Sequence, residues 1–389
     1  MTDARSGRVL SDDEVLKAVD RQAPTMAAVI DELHGNPELA HQEAFAAATI
    51  TGLLEAAGAT VVRGIAGMPT AFRAEIAGGL AAGQGAPVEA GGAVGIIAVY
   101  DAACAKRPDG TDDAVHSCGH GPQSAGVVGA ALALASIRSR WTGRMIVIGA
   151  PADEIHSPGT RSLGSGKARA AAAGVFDDLD ALLYPHPEFI DTVWQESLWM
   201  RRETAVVSGS RTLRSGTEVA PFLALDALRE VLAGFDPGRV MVESAVLDGD
   251  VEEGSGLTLT VRVLVFDESE DGAAVLAEAV RALFPTAVWT SGTAIAAIQP
   301  DERVTAGVLD AFRGMGREPD TNPSPLPFAT DFGNATRRAP GALVGVGRSG
   351  GWGFHTDIGA DQFAGDAGRR MAADIARVVA LSTVRLAAG

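Results

Sequence analysis

Apolar residues recur at helical spacing from Val15 to Leu33. They follow a polar start in which Ser11 precedes Glu14 by three positions, the spacing of a capping box. This pattern predicts one helix over residues 11–33, stopped by Asn36-Pro37. A second helix is expected over 43–57, closed by Gly58, with short strands at 61–62 and 71–77. Residues 78–92 are rich in Gly and Ala and read as a loose hairpin or a disordered connection. Residues 93–100 are apolar throughout, 144–149 are apolar after Arg144 and suit a central strand buried on both faces, and a long Ala/Leu-rich helix is expected between them over 123–139. A helix over 166–173 capped by Gly174 and an apolar strand at 181–184 continue the alternation. Such an order predicts an α/β fold, a mostly parallel sheet with helices on both faces.

The character changes near Met200. A strand at 204–208, a helix at 222–233, strands at 240–247 and 257–266, a helix at 272–283 and a strand near Val288 spell β-α-β-β-α-β. After Gln299 the earlier pattern resumes, with a helix at 304–314, a buried strand at 343–346 and a last helix over 365–388. The expectation is a main domain made of residues 1–199 and 300–389, with an α+β domain of residues 200–299 inserted into it.

Composition narrows the function. A chain of 389 residues with 47% hydrophobic content exceeds what one core usually serves, which agrees with two domains. A formal net charge of −17 leaves no excess of Lys and Arg to displace counterions, so nucleic acid is not an expected partner. Only Cys104 and Cys118 occur, which suits reduced thiols in a cytosol. Residues 1–20 are polar, no run of 18 apolar residues follows, and the expectation is a cytoplasmic protein without membrane contact.

The candidate chemistry centres on His116-Ser117-Cys118-Gly119-His120, on the turn between an apolar strand and a long helix. A thiolate and an imidazole two residues apart can face one ion from the same side. A buried Cys beside a core His is the alternative. Asp153-Glu154 sits just past another apolar strand, where open α/β sheets place their chemistry, and His186 and His355 have similar settings. Asp101 ends the 93–100 strand, where a carboxylate can also be a plain strand-end cap.

Several stretches together resemble the zinc aminoacylase/carboxypeptidase superfamily of metallopeptidases, in its aminobenzoyl-glutamate hydrolase and β-alanyl-dipeptidase-like branch. In order they are Leu33-His34-Gly35-Asn36-Pro37-Glu38-Leu39, Tyr100-Asp101-Ala102, His116 to His120, Ala150-Pro151-Ala152-Asp153-Glu154, Gly166-Lys167, Gly174 to Asp180, His186-Pro187, Thr330 to Asn334 and His355-Thr356. The resemblance implies a catalytic domain with a binuclear metal centre and an inserted lid domain that also dimerises. It places Cys118, His120, Glu154, His186 and His355 as ligands of one or two divalent ions, zinc or manganese. Asp101 and His116 then support the ligands, and Asp153 is the general base. The implied substrate is a small N-acyl amino acid or dipeptide-like amide bearing a carboxylate, and the implied assembly a homodimer.

Three departures from that pattern bear on the reaction. The usual Glu before the ligand Glu154 is Asp153, one methylene shorter, whereas a base must come within ~2.6–3.2 Å of the proton it takes. The Asp or Asn usual after the ligand His120 is Gly121. Leu213 stands where the lid's carbonyl-polarising His belongs, and Leu223 where an Asn belongs. Arg211 or Arg214 could supply the missing charge to a substrate, or could be solvated surface. Three readings follow: a metal-dependent amide hydrolase, a metal-binding protein of the same fold whose hydrolysis is lost or redirected, or, weakest, a structural or regulatory subunit without metal.

Overall fold

A computed structural model of the chain describes residues 10–79, 91–106, 112–209, 220–248 and 257–388. The chain divides into two compact units. One takes the chain up to Gln195, then Gln299–Ser324 and everything from Asn334 onward; the other is Glu196–Ile298 with Pro325–Gly333.

The first unit is built on a seven-stranded mixed sheet. Its strands are β1 (Thr60–Arg63), β2 (Phe72–Ala77), β3 (Ala93–Ala98), β4 (Arg144–Gly149), β5 (Ala181–Glu188), β6 (Thr192–Trp194) and β7 (Gly341–Gly347), in the spatial order β1-β2-β4-β3-β5-β7-β6. The four middle strands, β4, β3, β5 and β7, run parallel, and the outer ladders are antiparallel. Burial explains the division. Every residue of β3 and β7 is buried, as befits strands covered by helices on both faces, whereas β1 at the edge is mostly exposed. The helices His120–Ser136 and Asp366–Ala387 supply much of the apolar cover, through residues such as Val127, Leu134, Ile375 and Val379.

The helix expected over 11–33 is two helices, Asp12–Asp20 and Ala23–Gly35. Pro24 in the first turn of the second explains the break, because proline is tolerated there and not in a helix interior. Ser11 and Glu14 do form the capping box. The helix expected from 123 begins at His120, and the strand expected to end at 184 runs through Glu188, so His186 lies within a strand.

The second unit is a four-stranded antiparallel sheet, in the order Val240–Asp248, Leu257–Asp267, Trp199–Gly209, Val288–Ser291, packed with the helices Ala220–Gly234 and Glu270–Ala282. Its core joins Ala205, Val207, Val261, Val263, Val280 and Phe284. The strand around 204–208 pairs on both sides, and Val240–Asp248 and Val288–Ser291 are the edges.

Candidate metal centre

All five expected ligands, with Asp101 and Asp153, lie past or near the carboxyl ends of the four parallel strands, the usual place for chemistry in an open α/β sheet. Asp101 follows β3, Asp153 and Glu154 follow β4, His186 sits near the end of β5, and His355 lies in the loop after β7. Gly119 makes the turn into the helix at φ 96°, a left-handed conformation, and its missing Cβ would press on Pro187 and Phe363. His120 therefore opens the helix and turns toward the strand ends.

Donor atoms of Cys118, His120 and His186 lie within 4.8 Å of one another, and so do those of Cys118, Glu154 and His355. Cys118 belongs to both groups. Its Sγ is 3.9 Å from His186 Nε2. His120 Nδ1 donates to the backbone carbonyl oxygen of Asp101 at 2.7 Å and lies 3.1 Å from Asp101 Oδ1. That anchor leaves Nε2 facing the cluster, where it is buried and makes no hydrogen bond. Glu154 Oε1 is also buried without a partner. Asp101 serves the second group too, because its Oδ2 accepts the Glu154 backbone N–H at 2.9 Å. His186 Nδ1 is anchored by the Pro187 carbonyl at 2.8 Å. His355, at φ 56°, donates its backbone N–H to the Ser117 carbonyl at 2.9 Å.

The electrostatics couple the Cys118 thiol to the imidazoles around it. Burial pushes the Cys118 thiol up, but His120, His186 and His355 outweigh it and hold the thiol well below its ordinary range. Burial opposes charge on His186 as well, yet Cys118 and Glu188 raise it to about 9. Burial, then the Cys118 charge, push Glu154 well above the usual carboxylate range. Protons and a divalent cation compete for the same donors in such a pocket.

The chain matches the model of peptidase family M20/M25/M40 over residues 100–358. It belongs to that family. The match starts just before Asp101 and ends just after His355, so it encloses the whole cluster. A curated relative is one of the subunits of the p-aminobenzoyl-glutamate hydrolase of Escherichia coli (strain K12), 32% identical over 187 residues. That alignment covers 45% of this chain and 34% of the relative's length. Among solved structures, an aminobenzoyl-glutamate utilization protein from Klebsiella pneumoniae superposes with a TM-score of 0.68 at 16% identity, covering 95% of this chain and 98% of that one. A dinuclear metal binding peptidase of the M20 family from Bacillus subtilis gives 0.62 at 19% identity, covering 92% and 99%. The likenesses show a shared fold. Over the matched stretch this M20 chain is related to aminobenzoyl-glutamate hydrolase.

Three features of the M20 centre were not assigned from sequence. Lys167, fully buried, pairs with Asp153 Oδ1, and the Tyr184 hydroxyl donates to Asp153 Oδ2 at 2.8 Å. The same Oδ2 lies 3.3 Å from His120 Nε2, so Asp153 borders the ligand cluster despite its short side chain. Glu43, also fully buried, accepts the backbone N–H groups of His41 at 2.7 Å and Ala152 at 2.9 Å, and the Thr70 hydroxyl at 2.9 Å. The sequence offered one signal for Lys167, the Gly166-Lys167 pair among the stretches that carry the family resemblance, which assigned it no role. His116 is buried, and neither of its ring nitrogens has a hydrogen-bond partner; burial lowers its pKa to about 3. Gly121 faces open space where a Cβ would stand. Arg211, Leu213 and Arg214 lie outside the described residues, as does the side chain of Leu223.

Proposed function

We propose that this M20 chain is a hydrolase that cleaves the amide bond of a small N-acyl amino acid or dipeptide-like substrate, with Cys118, His120, Glu154, His186 and His355 holding one or two zinc or manganese ions. The observation that supports this best is the pair of donor groups sharing Cys118, with Glu154 Oε1 buried without a hydrogen-bond partner and His120 Nε2 buried beside Asp153. A thiolate, imidazoles and a carboxylate make a donor set that suits zinc, and a buried unpaired donor atom is costly unless something binds it. Bound there, a divalent ion supplies Lewis-acid polarisation of the scissile carbonyl and acidifies a water molecule. Asp101 keeps the His120 ring and the Glu154 backbone in place for it.

Asp153 is the proton carrier. Its Oδ2, already 3.3 Å from the ligand atom His120 Nε2, takes the proton of the attacking water and returns it to the leaving amine. Arg211 and Arg214 are the candidates for holding the substrate's carboxylate. The working protein is proposed to be cytoplasmic and a homodimer formed through the inserted unit, whose edge strands expose Val246 and Val288. Among the described residues, no helix is long and apolar enough to cross a membrane.

The test is metal analysis of the purified protein beside a panel of N-acyl amino acids and dipeptides. One to two equivalents of zinc or manganese, removable by a chelator and mostly lost in His120→Ala, are expected together with turnover of at least one amide. A folded protein that binds no metal after reconstitution would overturn the proposal. A metal-loaded protein silent on every amide would instead mean that the reaction has been redirected.

A further inference from the structure

We propose that Lys167 and Tyr184 are positioning residues that clamp Asp153, and that this clamp is what allows an aspartate to do the work of the longer glutamate usual in relatives. The proposal rests on the reading of Asp153 as the proton carrier. Its physical basis is the way the two donors divide the carboxylate.

Lys167 reaches Oδ1 from the helix Gly166–Ala172, and the Tyr184 hydroxyl reaches Oδ2 from β5. Tyr184 and His186 are two residues apart on one strand and so share a face, with ring centroids 6.1 Å apart. The strand that carries a ligand therefore also carries the tyrosine. Lys167 Nζ in turn sits 4.6 Å from the centroid of the Tyr184 ring, so ammonium, phenol and carboxylate form one connected group. With each oxygen tied to a donor on a different element, the Asp153 side chain has a single orientation. In it Oδ2 faces His120 Nε2, and an ionised carboxylate oxygen keeps a lone pair for a water proton after accepting from Tyr184.

A buried Lys–Asp pair is by itself weak evidence of a task, since such pairs often only balance their own desolvation. The location argues for more. The carboxylate of this pair borders the ligand cluster, and the donors grip it at the reach of an aspartate. A glutamate here would carry its carboxylate about 1.5 Å farther, by one C–C bond length, and lose both grips or clash with them. The clamp therefore predicts that Asp153→Glu, although it restores the usual residue, lowers turnover.

The experiment compares metal-loaded wild type with Lys167→Met, Tyr184→Phe, Asp153→Glu and Asp153→Asn, and combines the first two changes with Asp153→Asn. Metal content and melting temperature are measured throughout. Lys167→Met and Tyr184→Phe should each lower kcat roughly 10- to 100-fold, part of the range for general acid–base catalysis, with metal content and KM little changed. Asp153→Glu should fall with them. In the Asp153→Asn background neither change should lower kcat further, because a residue that acts through Asp153 has nothing left to position. Equal losses in both backgrounds would mean a structural role and overturn the proposal; so would an Asp153→Glu variant as active as wild type. If Lys167→Met fails to fold, Tyr184→Phe carries the same comparison.

A readout without turnover separates this proposal from the functional one. In protein loaded with cobalt(II), the visible spectrum should shift in Lys167→Met, Tyr184→Phe and Asp153→Asn alike, at unchanged cobalt content. A protein silent on amides that still shows these shifts keeps the clamp and loses the assigned reaction. Unchanged spectra in both variants would refute the clamp.

Discussion

Glu43 is expected to hold the loop that carries Asp153 and Glu154, and Glu43→Ala tests it. The carboxylate is fully buried and accepts from two backbone N–H groups, those of His41 and Ala152, and from the Thr70 hydroxyl. His41 and Ala152 both have left-handed backbones, at φ 65° and 59°, which costs a non-glycine residue about 1–3 kcal/mol and persists only where its surroundings impose it. Removing the carboxylate leaves both N–H donors without this acceptor, at about 1–3 kcal/mol for the buried Ala152 donor and less for the part-buried His41 donor. Relief from burying a charge offsets part of that loss, so a net destabilisation of about 2–4 kcal/mol is expected. Glu43→Gln should lose only about 1 kcal/mol, because the amide oxygen accepts the two N–H groups and the Thr70 hydroxyl turns to accept from the amide nitrogen. Urea denaturation of chelator-treated protein measures these differences, and competition against a chelator measures metal affinity. That affinity should fall at least tenfold in Glu43→Ala as the loop bearing Glu154 relaxes. A Glu43→Ala protein within about 0.5 kcal/mol of wild type, the spread of an ordinary surface substitution, and with wild-type metal affinity would refute the reasoning.

Three other outcomes follow from the same geometry. Burial, then the Asp101 charge, raise the Glu43 pKa from 4.5 to about 7, so the folded state binds this proton more tightly than the unfolded state. The resulting stability is fully present below about 4.5 and lost as pH rises through about 7, on the order of 3 kcal/mol, and urea midpoints against pH should show this slope in wild type but not in Glu43→Gln. A Cβ on Gly166 would lie 1.8 Å from the Pro151 carbonyl oxygen, so Gly166→Ala should destabilise by more than about 3 kcal/mol or yield no folded protein, read by thermal melting. Light scattering at micromolar concentration should give a mass near twice that of one chain; a mass near 39.8 kDa would argue against the proposed dimer.

Much of the fold was legible because its signals are local. Continuous apolar runs marked β3, β4 and β7, a capping box marked Ser11, and the change near Met200 marked the start of a second pattern. Pro24 was legible as well, yet the apolar periodicity runs through it and masked the break. The residues of the cluster were legible only as a set of metal-binding types in a familiar order, since Cys118 and His355 are 237 positions apart and no periodicity relates them. What brings them within reach of one another is the adjacency of β4, β3, β5 and β7 in the sheet, a property of strand order that no single stretch contains. Lys167, Tyr184 and Glu43 show the limit most clearly. Each reads alone as an unremarkable residue of a helix, a strand or a helix start. Their partners are set by three-dimensional packing: a buried ammonium or carboxylate must find its counterpart wherever the fold places it, and only the tertiary structure decides which one that is.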